Sequence, residues 1–175
     1  MFFSKTLILA LATAAVALPT SQQLDKRAGI LKKEPYSQFQ VSDGVGGDAL
    51  AEVKKKFPID EAKIASIDPA DLQIIKDART TAEKAEVEGF NPAIAKATGE
   101  EKEELEVGKT KNKVLKLQLE VEELQAELAQ VKTENAEDKK KRAAKLEEEK
   151  KKLDSNINLD KKNAGKKSKS VAFNG

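Results

Sequence analysis

From residue 109 the chain reads KTKNKVLKLQLEVEELQAELAQVKTEN, in which Val114, Leu117, Val121, Leu124, Leu128 and Val131 recur at spacings of three and four. On an α-helix that spacing places six branched apolar side chains on one stripe, a heptad seam that some other element must cover. Leu115, Leu117, Leu119 and Val121 also alternate with a period of two, which is a strand pattern. Leu, Lys, Glu and Gln favour helix, and the apolar pattern is too long for one strand, so a helix is expected. The seam spans fewer heptads than an autonomous coiled coil sustains. It is therefore expected to pack within the chain onto the helix that begins at Pro69, with a partner helix or a homodimer as the alternative. In a parallel pair, Glu127 would face Lys132 and Glu134 would face Lys139.

Upstream, the start signals are local. Asp68-Pro69 combines a capping carboxylate with proline at the first helical position. The helix it opens is expected to run to about Glu88, stop at Gly89 and present Leu72, Ile75, Ala78, Ala82 and Ala85 on one face. Asp48 is placed to cap a helix from Ala49 to Phe57, and Asp60 a short one from Glu61 to Ser66. Asn91-Pro92 repeats the start signal for a short helix that Gly99 ends. The acidic run from Glu100 to Glu106 suits a helix N-terminus, and Gly108 is a place where the long helix breaks or bends.

These helices must stand without covalent support, because the chain has no Cys. It has no His either, which removes the commonest general base and metal ligand. Zinc sites of the Cys/His kind and Ser-His-Asp or Cys-His nucleophiles are thereby excluded. Asp43 and Asp48 flank a Gly-rich loop near Tyr36, but a turn and a helix cap explain both carboxylates. No catalytic residue, cofactor or metal site is expected.

The first residues set the compartment. Lys5, an apolar run from Thr6 to Leu18 and the small residues Ala15 and Ala17 form a removable signal peptide, too short for a membrane span. Lys26-Arg27 then offers a dibasic processing site, so the mature chain is expected to start at Ala28. Four segments follow: signal peptide 1–17, propeptide 18–27, a small helical domain 28–131, and a charged helical extension with a disordered basic tail 132–175. Residues 28–131 carry a net charge of −6 and residues 132–175 one of +6. An acidic body and a basic tail either attract one another or leave the tail to seek an external anion.

The basic patch Lys139, Lys140, Lys141 and Arg142 is read first as a solvated face, and otherwise as a contact to an anionic polymer or as an import signal. No aromatic residues interleave with these lysines, so specific nucleic-acid binding is not expected. Lys145 with Glu149 and Glu147 with Lys151 are spaced to pair one turn apart. After Ser155 the Asn, Gly and Lys content reads as disorder.

Three stretches carry a family likeness: PYSQFQVSDG from Pro35 with ALAEV from Ala49 and Phe57-Pro58, then FNPAI from Phe90, and GKTKNKVLKL from Gly108. Over residues 34–131 the chain resembles uncharacterised small secreted proteins of filamentous ascomycete fungi. The resemblance implies secretion and a role at the fungal surface or in host contact, and it carries over no catalytic residues.

The expectation is an all-α protein: a small helical domain with a long C-terminal heptad-like helix and a basic, partly disordered tail. Its expected function is that of a secreted, extracellular, non-catalytic interaction protein of effector type. The alternative is a structural protein of the cell wall, held to anionic polymers by its tail. The expected partner is a protein or an anionic wall polymer, and no transmembrane segment is expected once the signal peptide is removed.

Overall fold

The computed structural model describes residues 29–130 and 135–174. The expected cleavage residues Ala17, Lys26 and Arg27, the seam residue Val131, and Lys132 and Glu134 of the dimer reading lie outside them. The described chain is all-α: α1 (Tyr36–Phe39), α2 (Ala49–Lys56), a 3-10 turn (Glu61–Ser66), α3 (Pro69–Lys84), α4 (Asn91–Lys96), α5 (Gly99–Gln130) and α6 (Ala136–Lys162). Two residue pairs add a minimal antiparallel ribbon, β1 (Gly44–Val45) with β2 (Lys167–Ser168), in which Gly44 faces Ser168.

Several helix starts follow from local chemistry. Asp68 accepts the Ala70 N–H at 2.7 Å with Pro69 in the first turn of α3, and Asp60 accepts from Ala62 at 3.1 Å. Asp48, by contrast, makes no capping bond. The N-terminus of α2 is capped from the far end of the chain, where the Asp160 carboxylate accepts from Gly47 N at 3.0 Å and Ala49 N at 2.9 Å. Its negative charge meets the positive end of the helix dipole in a site from which water is excluded, Asp160 being 2% exposed.

Gly89 does not end α3. The helix widens to a π-helical segment, Ala85–Phe90, and passes directly into α4. Gly108 neither breaks nor divides α5, which is one helix of 32 residues.

α5 is the central helix, and both sequence periods have a place on it. Leu115 and Leu119 pack with Ile75, Ala78, Ala82 and Ala85 on the α3 side. Val114, Leu117, Val121 and Leu124 pack with Leu146 and Leu153 of α6, with Leu128 and Ile157 at the margin. The seam is thus covered within the chain, as expected, but by α6 rather than by α3. α3 has small residues along its face and approaches the opposite side of α5. Arg142 pairs with Glu127 and Lys145 with Glu120, so α6 runs antiparallel to α5. The apolar layer therefore crosses the boundary expected at residue 132. Lys145 reaches across to Glu120 instead of pairing with Glu149, and the one-turn pairs on α6 include Glu137–Lys141, Glu147–Lys150, Glu148–Lys152 and Glu149–Lys152.

The segment after Ser155 is a correction. It stays helical to Lys162 and then runs as β2 across α5. Its order comes from distant partners. Ser168 donates its hydroxyl to the Ser42 carbonyl, Ser170 N donates to Asp43 Oδ1 at 2.8 Å, and the Phe173 ring meets Tyr36 edge-on at 5.8 Å. Composition registers none of these, because each partner lies more than a hundred residues away.

Candidate functional site: a lysine-rimmed groove

The N-terminal segment is held by one carboxylate. Asp71, 4% exposed near the start of α3, accepts Ile30 N at 3.0 Å and Leu31 N at 2.8 Å. From there the chain turns through Pro35 into α1. Tyr36 enters the core and donates its hydroxyl to Asn112 Oδ1 at 2.8 Å, while the Asn112 amide donates to the Ala82 carbonyl at 2.8 Å. Burial pushes the Tyr36 phenol up to about 12, so it remains a neutral donor across ordinary pH. Phe39 stacks edge-on with Tyr36 at 5.5 Å and with Phe57 at 5.9 Å, which brings the end of α2 against α1.

A groove of about 440 Å3 lies between this segment, the end of α2 and α3. Its apolar lining includes Leu31, Phe39, Phe57, Ile74 and Ala78. Lys32 and Lys33 stand on the rim from the N-terminal segment, Lys55 and Lys56 from α2. Lys33 pairs with Asp77 at 3.2 Å, and the Gln73 amide together with Lys33 holds the Asp77 carboxyl below its ordinary range. Lys56 donates to the Gln38 carbonyl at 2.6 Å. Among the described residues, the Lys32 and Lys55 ammonium groups have no ion-pair or hydrogen-bond partner. A concave apolar surface with a few charges at its edge is the usual form of a ligand site.

Removing the Asp71 carboxylate tests how this wall is held. Asp71→Ala is expected to destabilise the fold by about 2 kcal/mol, since two N–H groups lose charge-assisted acceptors. It should also speed hydrogen exchange at the Ile30 and Leu31 amides. Unchanged exchange there would show that the wall is held by other contacts.

A second buried polar centre lies on α5. Lys111, fully buried, donates to the carbonyls of Asp43 and Val45 at 2.9 Å each and pairs with Glu52. The Asp43 carboxylate receives Ser170 N and the Gln40 amide, so it serves to bind the loop to the C-terminal segment. Asp48 stands exposed at the start of α2. No group of three or more Asp or Glu is placed to hold a metal ion among the described residues.

Glu122, 1% exposed, keeps one hydrogen bond, from Gln118 at 2.8 Å, and its Oε2 has no partner among the described residues. Burial pushes its carboxyl up to about 7; Glu61 nearby adds to the rise, while the Gln118 bond and Lys54 oppose it. The fold thus holds a proton that the unfolded chain releases near the ordinary value of 4.5. This group's stabilisation is whole below about pH 4.5, falls as pH rises to about 7 and is constant above that. Glu122→Gln is expected to flatten that slope and to raise stability at pH 8 by about 3 kcal/mol. Urea titrations at pH 4.5 and pH 8 check it, and an equal difference between variant and parent at both would refute it.

The sequence-predicted residues are dispersed. The seam residues Val114, Leu117, Val121, Leu124 and Leu128 belong to the α5–α6 interface. Glu127, expected to face a second copy, is paired within the chain with Lys76 and Arg142. Lys139, Lys140 and Lys141 are exposed on α6, where Lys141 pairs with Glu137. Lys167 meets Glu100 at 2.8 Å, and Lys169 meets Glu101 at 2.6 Å. The acidic and basic halves therefore attract one another inside the molecule. The groove itself was not anticipated, because its lining comes from segments between residues 30 and 81 that only the fold unites. The doublets Lys32-Lys33 and Lys55-Lys56, each beside an aromatic or apolar residue, were its faint sequence signal.

No helix among the described residues is long and apolar enough to cross a membrane. No curated protein and no solved structure matches the chain. A family model described as a domain of unknown function, DUF8454, matches residues 31–172, from the first wall of the groove through the C-terminal segment that crosses α5. The match takes in both sides of residue 132, and the chain belongs to that family.

Proposed function

We propose that this is a secreted, non-catalytic protein that acts by binding, at the fungal surface or host interface, and that the groove beside its N-terminal segment is where it binds. The carrying observation is the apolar floor of Leu31, Phe39, Phe57 and Ile74 under a rim with two uncommitted lysines, Lys32 and Lys55. The two removal signals in residues 1–27 support secretion. The lysines of the C-terminal segment weigh against the wall-held alternative, because Lys167 and Lys169 are already engaged by Glu100 and Glu101. Lys139 and Lys140 keep that alternative in play as an exposed pair.

The test is hydrogen exchange of the 28–175 protein with and without culture or host extract. Protection is expected over residues 30–39, 54–58 and 74–81. Protection confined to α6 would favour the wall-held reading and refute the groove.

A further inference from the structure

We propose that the groove takes one long-chain carboxylate, its acyl chain on the floor of Leu31, Phe39, Phe57, Ile74 and Ala78 and its head group at Lys32 and Lys55; this rests on the reading of the groove as the binding site. The floor carries no charged side chain, and its half-buried members Leu31 and Ile74, backed by the buried Phe39, Phe57 and Ala78, are where a chain laid on it replaces water with apolar contact. A cavity of about 440 Å3 suits a single small ligand rather than a folded partner surface.

The charges on the rim give the head group its sign. Four lysines face two acids, Glu34 and Asp77. Asp77 is engaged by Lys33, and Lys56 is engaged by the Gln38 carbonyl. That leaves Lys32 and Lys55 to meet an incoming anion from the two sides of the groove, with Glu34 as the acid of the lining that no lysine there engages. A lysine ammonium is a point charge that needs no planar bidentate partner, and the lining contains no arginine fork of the kind that favours phosphate. The buried Asp71 acts at one remove, by fixing Leu31 in the floor through its backbone N–H.

The probes are octanoate, decanoate and dodecanoate, titrated calorimetrically into the 28–175 protein below their micelle concentrations, with dodecanol as the uncharged match. One-to-one binding is expected, tightening about twofold per added methylene, since an open groove covers a chain on one side only. Dodecanol should bind about tenfold more weakly than dodecanoate, for want of a charge-assisted contact. A Lys32→Glu, Lys55→Glu double variant should lose about tenfold for dodecanoate and nothing for dodecanol. Glu at position 55 meets the negative end of the α2 dipole, so the variant's melting temperature should fall slightly, and unchanged dodecanol binding reports that the groove is still formed. The chain-length and head-group series on the unaltered protein stands even if the variant misfolds.

No saturable binding, equal binding of dodecanol, or binding only to vesicles containing phosphatidylserine would each overturn the proposal. If the carboxylates fail while extract still protects residues 30–39 and 74–81, the ligand class is wrong and the groove stands. If they bind while extract leaves those residues unprotected, the ligand class stands and the partner reading falls.

Discussion

A chain cut after Gln130 is expected to lose cooperative folding. The cut strips α6 from α5 and uncovers Val114, Leu117, Val121 and Leu124, which are buried against Leu146 and Leu153. Burial of each such side chain is worth about 1.5–3 kcal/mol, so these four alone represent about 9 kcal/mol. The Asp160 cap of α2 goes too, at about 1 kcal/mol, along with the Phe173 contact to Tyr36. A small domain has only about 5–15 kcal/mol to lose. The shortened chain should show a broad thermal transition in ellipticity and bind a hydrophobic dye. A sharp transition would mean that residues 28–131 fold alone and that α6 is an appendage.

Gly108→Ala is the second large effect, from a single methyl group. A β-carbon at this position would lie 2.0 Å from the Lys169 carbonyl oxygen and 2.9 Å from its carbonyl carbon. Both are backbone atoms, so neither can swing aside like the end of a long side chain. The segment must lift, which breaks the pairing of Val45 with Lys167 and of Gly44 with Ser168. It also pulls Ser170 from Asp43. A cost of about 3 kcal/mol is expected, at the upper end for overpacking. Hydrogen exchange across residues 166–173 should quicken far more than in α3.

Gly165→Ala is the control. That residue has a φ of +78° but nothing within 4 Å of its added β-carbon, so it should pay only the left-handed strain of about 1 kcal/mol. Equal effects at the two positions would show that backbone strain, and not the crossing of the C-terminal segment over α5, is what Gly108 relieves. Gly89 lies on the same path, with Val171 Cγ2 2.8 Å from its β-carbon position. The composition of the chain gave these two glycines the role of helix breakers. The structure gives them the role of clearance, with the helical backbone continuing through both.

The seam shows how much was legible and where legibility stopped. Its spacing announced a helix with an apolar stripe, and Val114, Leu117, Val121 and Leu124 of that stripe are buried on one continuous helix. The same residues carried a period-two signal, which arises because α5 is covered on two sides, with Leu115 and Leu119 toward α3 and Leu117 and Val121 toward α6. A periodicity says that a face will be covered but does not say by what. α3 was the obvious candidate by strength of signal, since α6 has few apolar residues. Leu146, Leu153 and Ile157 are joined in that layer by Ala49 and Leu50 of α2, and Arg142 and Lys145 add ion pairs to α5 at its end near Leu146. The groove was legible only as lysine doublets and scattered aromatics.

The sequence by itself determined the helical class, the starts at Asp60 and Asp68, and the amphipathic register of α5. Each depends on side chains and backbone groups within a few residues of one another, where the geometry of the chain leaves little choice. The tertiary structure alone decided that Asp160 rather than Asp48 caps α2, across 111 residues to Ala49 N. It alone decided that the lysine-rich end joins the fold through Asp43, 127 residues from Ser170, and that Lys32 and Lys55 share one rim. Bonds of that reach form only after the core has brought the segments together, and the loop entropy they cost is offset by burial that no local pattern records.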